Sequence, residues 1–146
     1  MGDRANYGFV MRNAGETDIL WLYLHDGGYQ MADRFARALE NCIERWGDTA
    51  YATRMTIQYI LDDSELGIAS RTGGAGLFIN SIGDNEHTLH VVDFGDRDHD
   101  ATVTLYDQFS GRWEDRPVAK VTFRIMDYIQ RYRRPRNPYV NPWARG

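Results

Sequence analysis

Hydrophobic and polar residues alternate with a period of two at the start of the chain. Over residues 5–11 the alternation predicts a strand whose apolar side carries three large residues: Tyr7, Phe9 and Met11. Turn-forming residues follow at 13–17, and residues 19–24 form a run that is apolar on both faces. A hairpin is therefore expected, with its second strand inside a sheet rather than at its edge.

The period then changes to that of a helix. After the break at Asp26-Gly27-Gly28, apolar residues recur three or four apart: Met31, Phe35, Leu39, Cys42, Ile43 and Trp46. Gly47 ends this helix, and Asp48 or Thr49 is the candidate N-cap of a second one carrying Ala52, Met55, Tyr59 and Ile60 on its apolar face. Two helices are expected after the hairpin.

Short apolar runs separated by turn residues follow from Gly67 onwards. They predict strands at residues 67–70, 76–82, 87–94, 101–106 and 117–123. Helical spacing returns at Ile125, Tyr128, Ile129 and Tyr132. We therefore predict an α+β fold, in which a mixed or antiparallel sheet packs against two central helices and a C-terminal helix.

The last residues are expected to lie outside this domain. Residues 135–146 contain three prolines and cannot continue a helix, so we predict a single domain at 1–134 followed by an extended tail rich in proline, arginine and aromatic residues. The tail is either disordered or laid on a neighbouring subunit or partner.

Composition narrows the class of protein. Hydrophobic residues make up 42% of the chain and charged residues 26%, which is typical of a globular domain. A net charge of −4 argues against a long nucleic acid as partner, although residues 131–146 carry five arginines and no acid. With no apolar stretch of membrane-spanning length, we expect a cytoplasmic protein with no membrane partner.

Motifs of catalysis are missing from the sequence. None of the four histidines has a metal-ligand spacing, and there is no Gly-x-Ser-x-Gly elbow. The glycine cluster at 73–76 lacks the Gly-Lys-Ser/Thr ending of a phosphate loop. We predict no catalytic residue, no metal and no cofactor, and therefore a protein that works by binding.

Several aromatic residues share short segments with arginine, histidine or glycine, a combination suited to holding a base and a phosphate. If the first two strands pair, Arg4 and His25 come together at one end of the hairpin. The Gly27-Gly28 pair would then present backbone N–H groups at a helix N-terminus, where an anion is favoured. Arg54, beside Tyr51, and Arg71, beside Gly73, are further candidates.

A family resemblance rests on three segments. They are Gly2-Asp3-Arg4-Ala5-Asn6, then Leu22-Tyr23-Leu24-His25-x-Gly27-Gly28 before the helical pair, and the acidic turn Gly83-Asp84-Asn85-Glu86. Over about residues 2–94 the chain resembles a widespread set of small phage, prophage and bacterial proteins. It departs from their pattern at Asp26, where a bulky residue such as tryptophan is common.

The resemblance implies a phage protein of the anti-CBASS or anti-Thoeris type, which sequesters a nucleotide immune signal in the infected cell without cleaving it. A cyclic dinucleotide or an ADP-ribose derivative would be the ligand, and a homo-oligomer is expected. Phosphates would meet Arg4, His25 and Arg54, a base would stack on Tyr23 or Tyr29, and Asn6 or Asn85 would read a base edge or ribose.

Two other classes stay open. The first is an interaction or inhibitor domain that acts on a host or phage protein through its surface or its tail. The second is a nucleotide-processing enzyme with His25 as general acid or base near Asp3 or Asp26.

Overall fold

The protein, described as a computed structural model over residues 3–62, 74–95 and 100–134, has an α+β fold. Its strands and helices in chain order are β1 Ala5–Asn13, β2 Glu16–Leu24, α1 Met31–Asn41, α2 Thr49–Leu61, β3 Ala75–Ile79, β4 Ser81–Ile82, β5 Leu89–Asp93, β6 Thr102–Tyr106, β7 Gly111–Arg112, β8 Ala119–Arg124 and α3 Ile125–Tyr132.

Six strands form the main sheet in the order β3-β2-β1-β5-β6-β8. The pairing of β1 with β5 is parallel, and the other neighbours are antiparallel. The prediction of an α+β fold is confirmed, with the mixed rather than the purely antiparallel sheet. β4 and β7 form a separate two-stranded ribbon.

The first hairpin is confirmed, with β1 and β2 in register from Asn13↔Glu16 to Ala5↔Leu24. Its two-residue turn has positive φ at Ala14 (52°) and Gly15 (85°), as a type I′ turn requires. Because this turn has the twist of the strands it joins, the register holds over nine residues. The start of β1 and the end of β2 therefore lie side by side.

Alternate residues of β2 enter two different cores, which explains why this strand is apolar on both faces. Leu22 and Leu24 pack with the helices, together with Tyr7 and Phe35. Trp21 packs on the other face, where Trp113 lies at a ring distance of 5.3 Å. The internal position predicted for this strand is confirmed, with β1 on one side and β3 on the other.

The first helix is shorter than predicted, because the Leu39 carbonyl accepts two bonds that do not belong to the α-helical pattern. α1 ends at Asn41, where the Leu39 carbonyl accepts bonds from the Cys42 N–H (3.3 Å) and from the Trp46 indole (3.0 Å). A 3-10 turn, Ile43–Arg45, replaces the last predicted turn. The next helix begins as expected, with the Asp48 side chain accepting a bond from Tyr51 N–H.

The apolar run at 76–82 is two strands rather than one. Asn80 takes a positive φ of 58°, and its side-chain oxygen accepts a bond from Ile19 N–H at 2.8 Å. β3 therefore ends at Ile79, and β4 begins at Ser81 in a different sheet. The two-residue strand β7 was not predicted, since so short a segment has no periodicity. The strand predicted at 67–70 and the tail at 135–146 lie outside the described residues.

Candidate functional site

The segments singled out by the sequence meet at one end of the sheet. This polar end consists of residues 3–6, 23–29 and 84–87. The hairpin register pairs Ala5 with Leu24 and Asn6 with Tyr23, so that Arg4 and His25 are the next residues beyond the last pair. The expected proximity of these two strand ends is present.

Arg4 already has anionic partners. Its guanidinium forms ion pairs with Asp84 (Nε to Oδ2, 4.0 Å) and Glu86 (Nη1 to Oε1, 3.5 Å), and its carbonyl accepts a bond from Glu86 N–H at 3.0 Å. These pairs lie at the surface, where each contributes at most about 1 kcal/mol. A phosphate at Arg4 would nevertheless have to replace two carboxylates of the protein itself.

The backbone N–H groups expected to receive a ligand anion are bound by Asp3. Its carbonyl accepts from Gly28 N–H at 2.9 Å, and its carboxylate accepts from Tyr29 N–H at 2.7 Å. The other carboxylate oxygen meets Nε2 of His87 at 2.5 Å. These contacts join the first described residue to the 3-10 turn Gly28–Gln30 that precedes α1.

The pKa of Asp3 reflects these contacts. Partial burial raises the pKa of its carboxyl, but the His87 hydrogen bond, the Tyr29 and Gly28 N–H groups and the charge of His87 together hold that pKa below its ordinary value. Gly28 is required by close packing, since a Cβ there would lie 2.8 Å from the backbone carbonyl oxygen of Asp3 and 2.4 Å from the His87 ring. Sequence reasoning missed His87, whose neighbours along the chain give no sign of this contact.

The two tyrosines expected to stack on a base differ in exposure. The Tyr23 ring packs edge-on against Phe78 at 6.2 Å, and its hydroxyl lies 3.1 Å from Nδ1 of His25. The His25 N–H donates to the Gly74 carbonyl at 2.8 Å, which ties the polar end to β3. Tyr29 is 69% exposed, and its hydroxyl accepts a bond from Gln30 Nε2 at 3.0 Å.

Asn6 and Asn85 are buried and hold backbone together. Asn6 Nδ2 donates to the Asp84 carbonyl at 3.1 Å, and Asn85 Nδ2 donates to the His87 carbonyl at 2.6 Å. The Gly27 carbonyl accepts from Nη1 of Arg34 at 3.0 Å, a contact from a buried arginine that the sequence did not single out. These contacts fix the loops of the polar end.

Arg54 does not lie at this site. Arg54 lies exposed on α2, in the helix layer, and donates to Gln58 one turn further along. Arg71 is outside the described residues. Four carboxylates lie at the polar end: Asp3, Asp26, Asp84 and Glu86. Their combined field disfavours an anionic ligand.

A second surface with binding chemistry is the outer edge of β3, here called the β3 edge. Gly74 and Asn80, the residues on either side of β3, form hydrogen-bonded pairs with His25 and Ile19. Antiparallel pairing alternates, so the outward N–H and C=O groups belong to three residues: Ala75, Leu77 and Ile79. Among strands at 3–62, 74–95 and 100–134, only β2 pairs with β3.

The β3 edge is also apolar. Its five residues, Ala75–Ile79, carry no charge, and the side chains of Leu77 and Ile79 are 60% and 66% exposed. Proteins normally protect an edge strand with lysine, other charges, proline or a bulge. β8, at the opposite edge, has such protection in Lys120, Arg124 and a register shift in its pairing with β6.

No helix in the described part of the chain combines the length and apolar character needed to cross a bilayer. Within the same residues, histidine, cysteine and carboxylate side chains form no group of three or more that could hold a metal ion. No protein-family model, curated protein or solved structure matches the chain.

Proposed function

We propose that the protein is a non-catalytic binding domain that acts by adding a polypeptide strand to its β3 edge. The observation that carries this proposal is the row of outward backbone groups at Ala75, Leu77 and Ile79, flanked by exposed apolar side chains. Main-chain hydrogen bonds to such an edge supply affinity, and the alternate side chains supply specificity.

The chemistry of the polar end argues against a phosphate ligand there. The N–H groups of the turn after Gly27 are taken by Asp3, and the charge of Arg4 is balanced by two carboxylates. The imidazole paired with a carboxylate is that of His87, whereas His25, the candidate acid or base, contacts the Tyr23 hydroxyl. These contacts do not favour phosphate capture, and they do not favour His25 as a general acid or base.

A peptide selection tests the proposal. Short random peptides displayed on phage are selected on wild-type protein and counter-selected on Leu77→Lys, whose lysine points into solvent from a residue that is 60% exposed. We expect extended peptides with alternating apolar residues, binding the variant about tenfold or more weakly. Val121→Lys, on the opposite edge strand, is the matched control and should bind like wild type. Peptides that bind both lysine variants equally would contradict the proposal.

Nucleotide sequestration is the second candidate function. It is favoured by the adjacent strand ends next to Arg4 and His25 and by the exposure of Tyr29. If it is correct, a cyclic dinucleotide or an ADP-ribose derivative should raise the Tm and be recovered intact after denaturation. Arg4→Ala should then weaken binding by about 1–3 kcal/mol, the scale for a charge-assisted hydrogen bond. No shift with any of these nucleotides would remove this candidate.

A further inference from the structure

We infer that the strand completing the β3 edge is β3 of a second copy of this chain, paired antiparallel about a two-fold axis through Leu77. The inference rests on the proposed role of this edge and names its partner. The two sheets would join into one continuous sheet across the axis. The interface is isologous, because each copy contributes the same five residues.

The positions of the outward groups suit this symmetry. Ala75 and Ile79 lie two residues on either side of Leu77, and all three direct their N–H and C=O groups away from β2. A two-fold axis at Leu77 therefore places Leu77 opposite its own copy and Ala75 opposite Ile79. Every outward donor then meets an outward acceptor, with no group left over in this stretch.

The side chains suit it as well. The small Ala75 opposite the large, 66% exposed Ile79 leaves room for the isoleucine, and the two Leu77 side chains meet at the centre. No residue of Ala75–Ile79 is charged, so self-pairing brings no like charges together. The same two-fold pairing of β8 would bring Lys120 and Arg124 of one copy close to the same residues of the other, and these like charges would repel.

Disulfide trapping tests this register. Directly opposed hydrogen-bonded residues lie about 5.5 Å apart in Cα positions, which is within the range of about 4.4–6.8 Å that a disulfide spans. Leu77→Cys should therefore form a covalent dimer under mild oxidation. Ala75→Cys is the matched control, since its copy would lie roughly 14 Å away along the strands. Wild type is a second control, because its one cysteine, Cys42, is buried.

Sedimentation gives an independent readout. We expect wild type and Val121→Lys to sediment as dimers and Leu77→Lys as a monomer with an unchanged far-UV CD spectrum. Monomeric wild type without a Leu77→Cys crosslink, or equal crosslinking by Ala75→Cys, would overturn the inference. If the Leu77→Cys thiol also resists alkylation in that monomer, another part of the same chain covers the edge. The peptide selection decides separately whether the edge binds other strands, so the dimer can fail while the proposed function stands.

Discussion

Replacing Phe35 by alanine should lower the free energy of unfolding by about 3–5 kcal/mol, the range for removing a buried phenylalanine. Phe35 is fully buried on α1 and contacts three aromatic rings, those of Tyr7 at 4.9 Å, Phe9 at 5.8 Å and Tyr128 at 6.0 Å. It joins β1 to α1 and α3, so the cavity would open at the centre of the helix-side core. Urea unfolding followed by far-UV CD measures the loss.

A matched control is Met126→Ala, which truncates a 42% exposed side chain on α3. We expect its unfolding free energy to stay within about 0.5 kcal/mol of wild type. A loss at Phe35 no larger than that of the control would show that the helix layer does not pack on the sheet as described.

Acidification from pH 7 to pH 5 should destabilise the protein by about 2 kcal/mol through His90 alone. Burial, and then the charge of His87, lower the pKa of His90 to about 3, and its Nδ1 shares a hydrogen bond with the Tyr128 hydroxyl at 2.7 Å. In the unfolded chain the same imidazole binds a proton near its ordinary pKa of about 6.5. The unfolded state therefore takes up more protons, and stability falls as the pH drops through that value.

Urea unfolding at half-unit pH intervals measures the slope. His90→Gln cannot titrate and should lose this part of the slope, whereas His25→Gln should keep it because His90 is unchanged in that variant. A pH dependence that is unchanged in His90→Gln would show that His90 is not kept neutral by the fold.

Much of the fold was predictable because its signals are local. The period-two alternation at residues 5–11 and the helical spacing from Met31 depend on which side of each element is buried. Features set by distant residues were not predictable. The break at Asn80 depends on its bond to Ile19, which is 61 residues away. The early end of α1 depends on a side-chain contact that helical spacing does not record, from the Trp46 indole to the Leu39 carbonyl.

The candidate site also has features that were predictable from the sequence and features that were not. The hairpin pattern was sufficient to predict that the strand ends next to Arg4 and His25 lie side by side, since an antiparallel register follows from the turn. The sequence did not show that Asp3 would occupy the N–H groups expected to hold a ligand, because its partners His87 and Tyr29 are distant along the chain. The β3 edge was also missed, since an apolar run looks the same at the edge of a sheet and inside it.

By itself, the sequence determined the element types, the first hairpin and the class of fold, because burial on one side of a strand or helix leaves a period in the chain. Only the tertiary structure decided which strand lies at the edge, which carboxylates neutralise Arg4 and which residues direct their backbone groups outward. Each of these depends on pairing between segments far apart in the chain, and neither composition nor spacing records that pairing. The proposed binding edge therefore depends on the order of strands in the sheet.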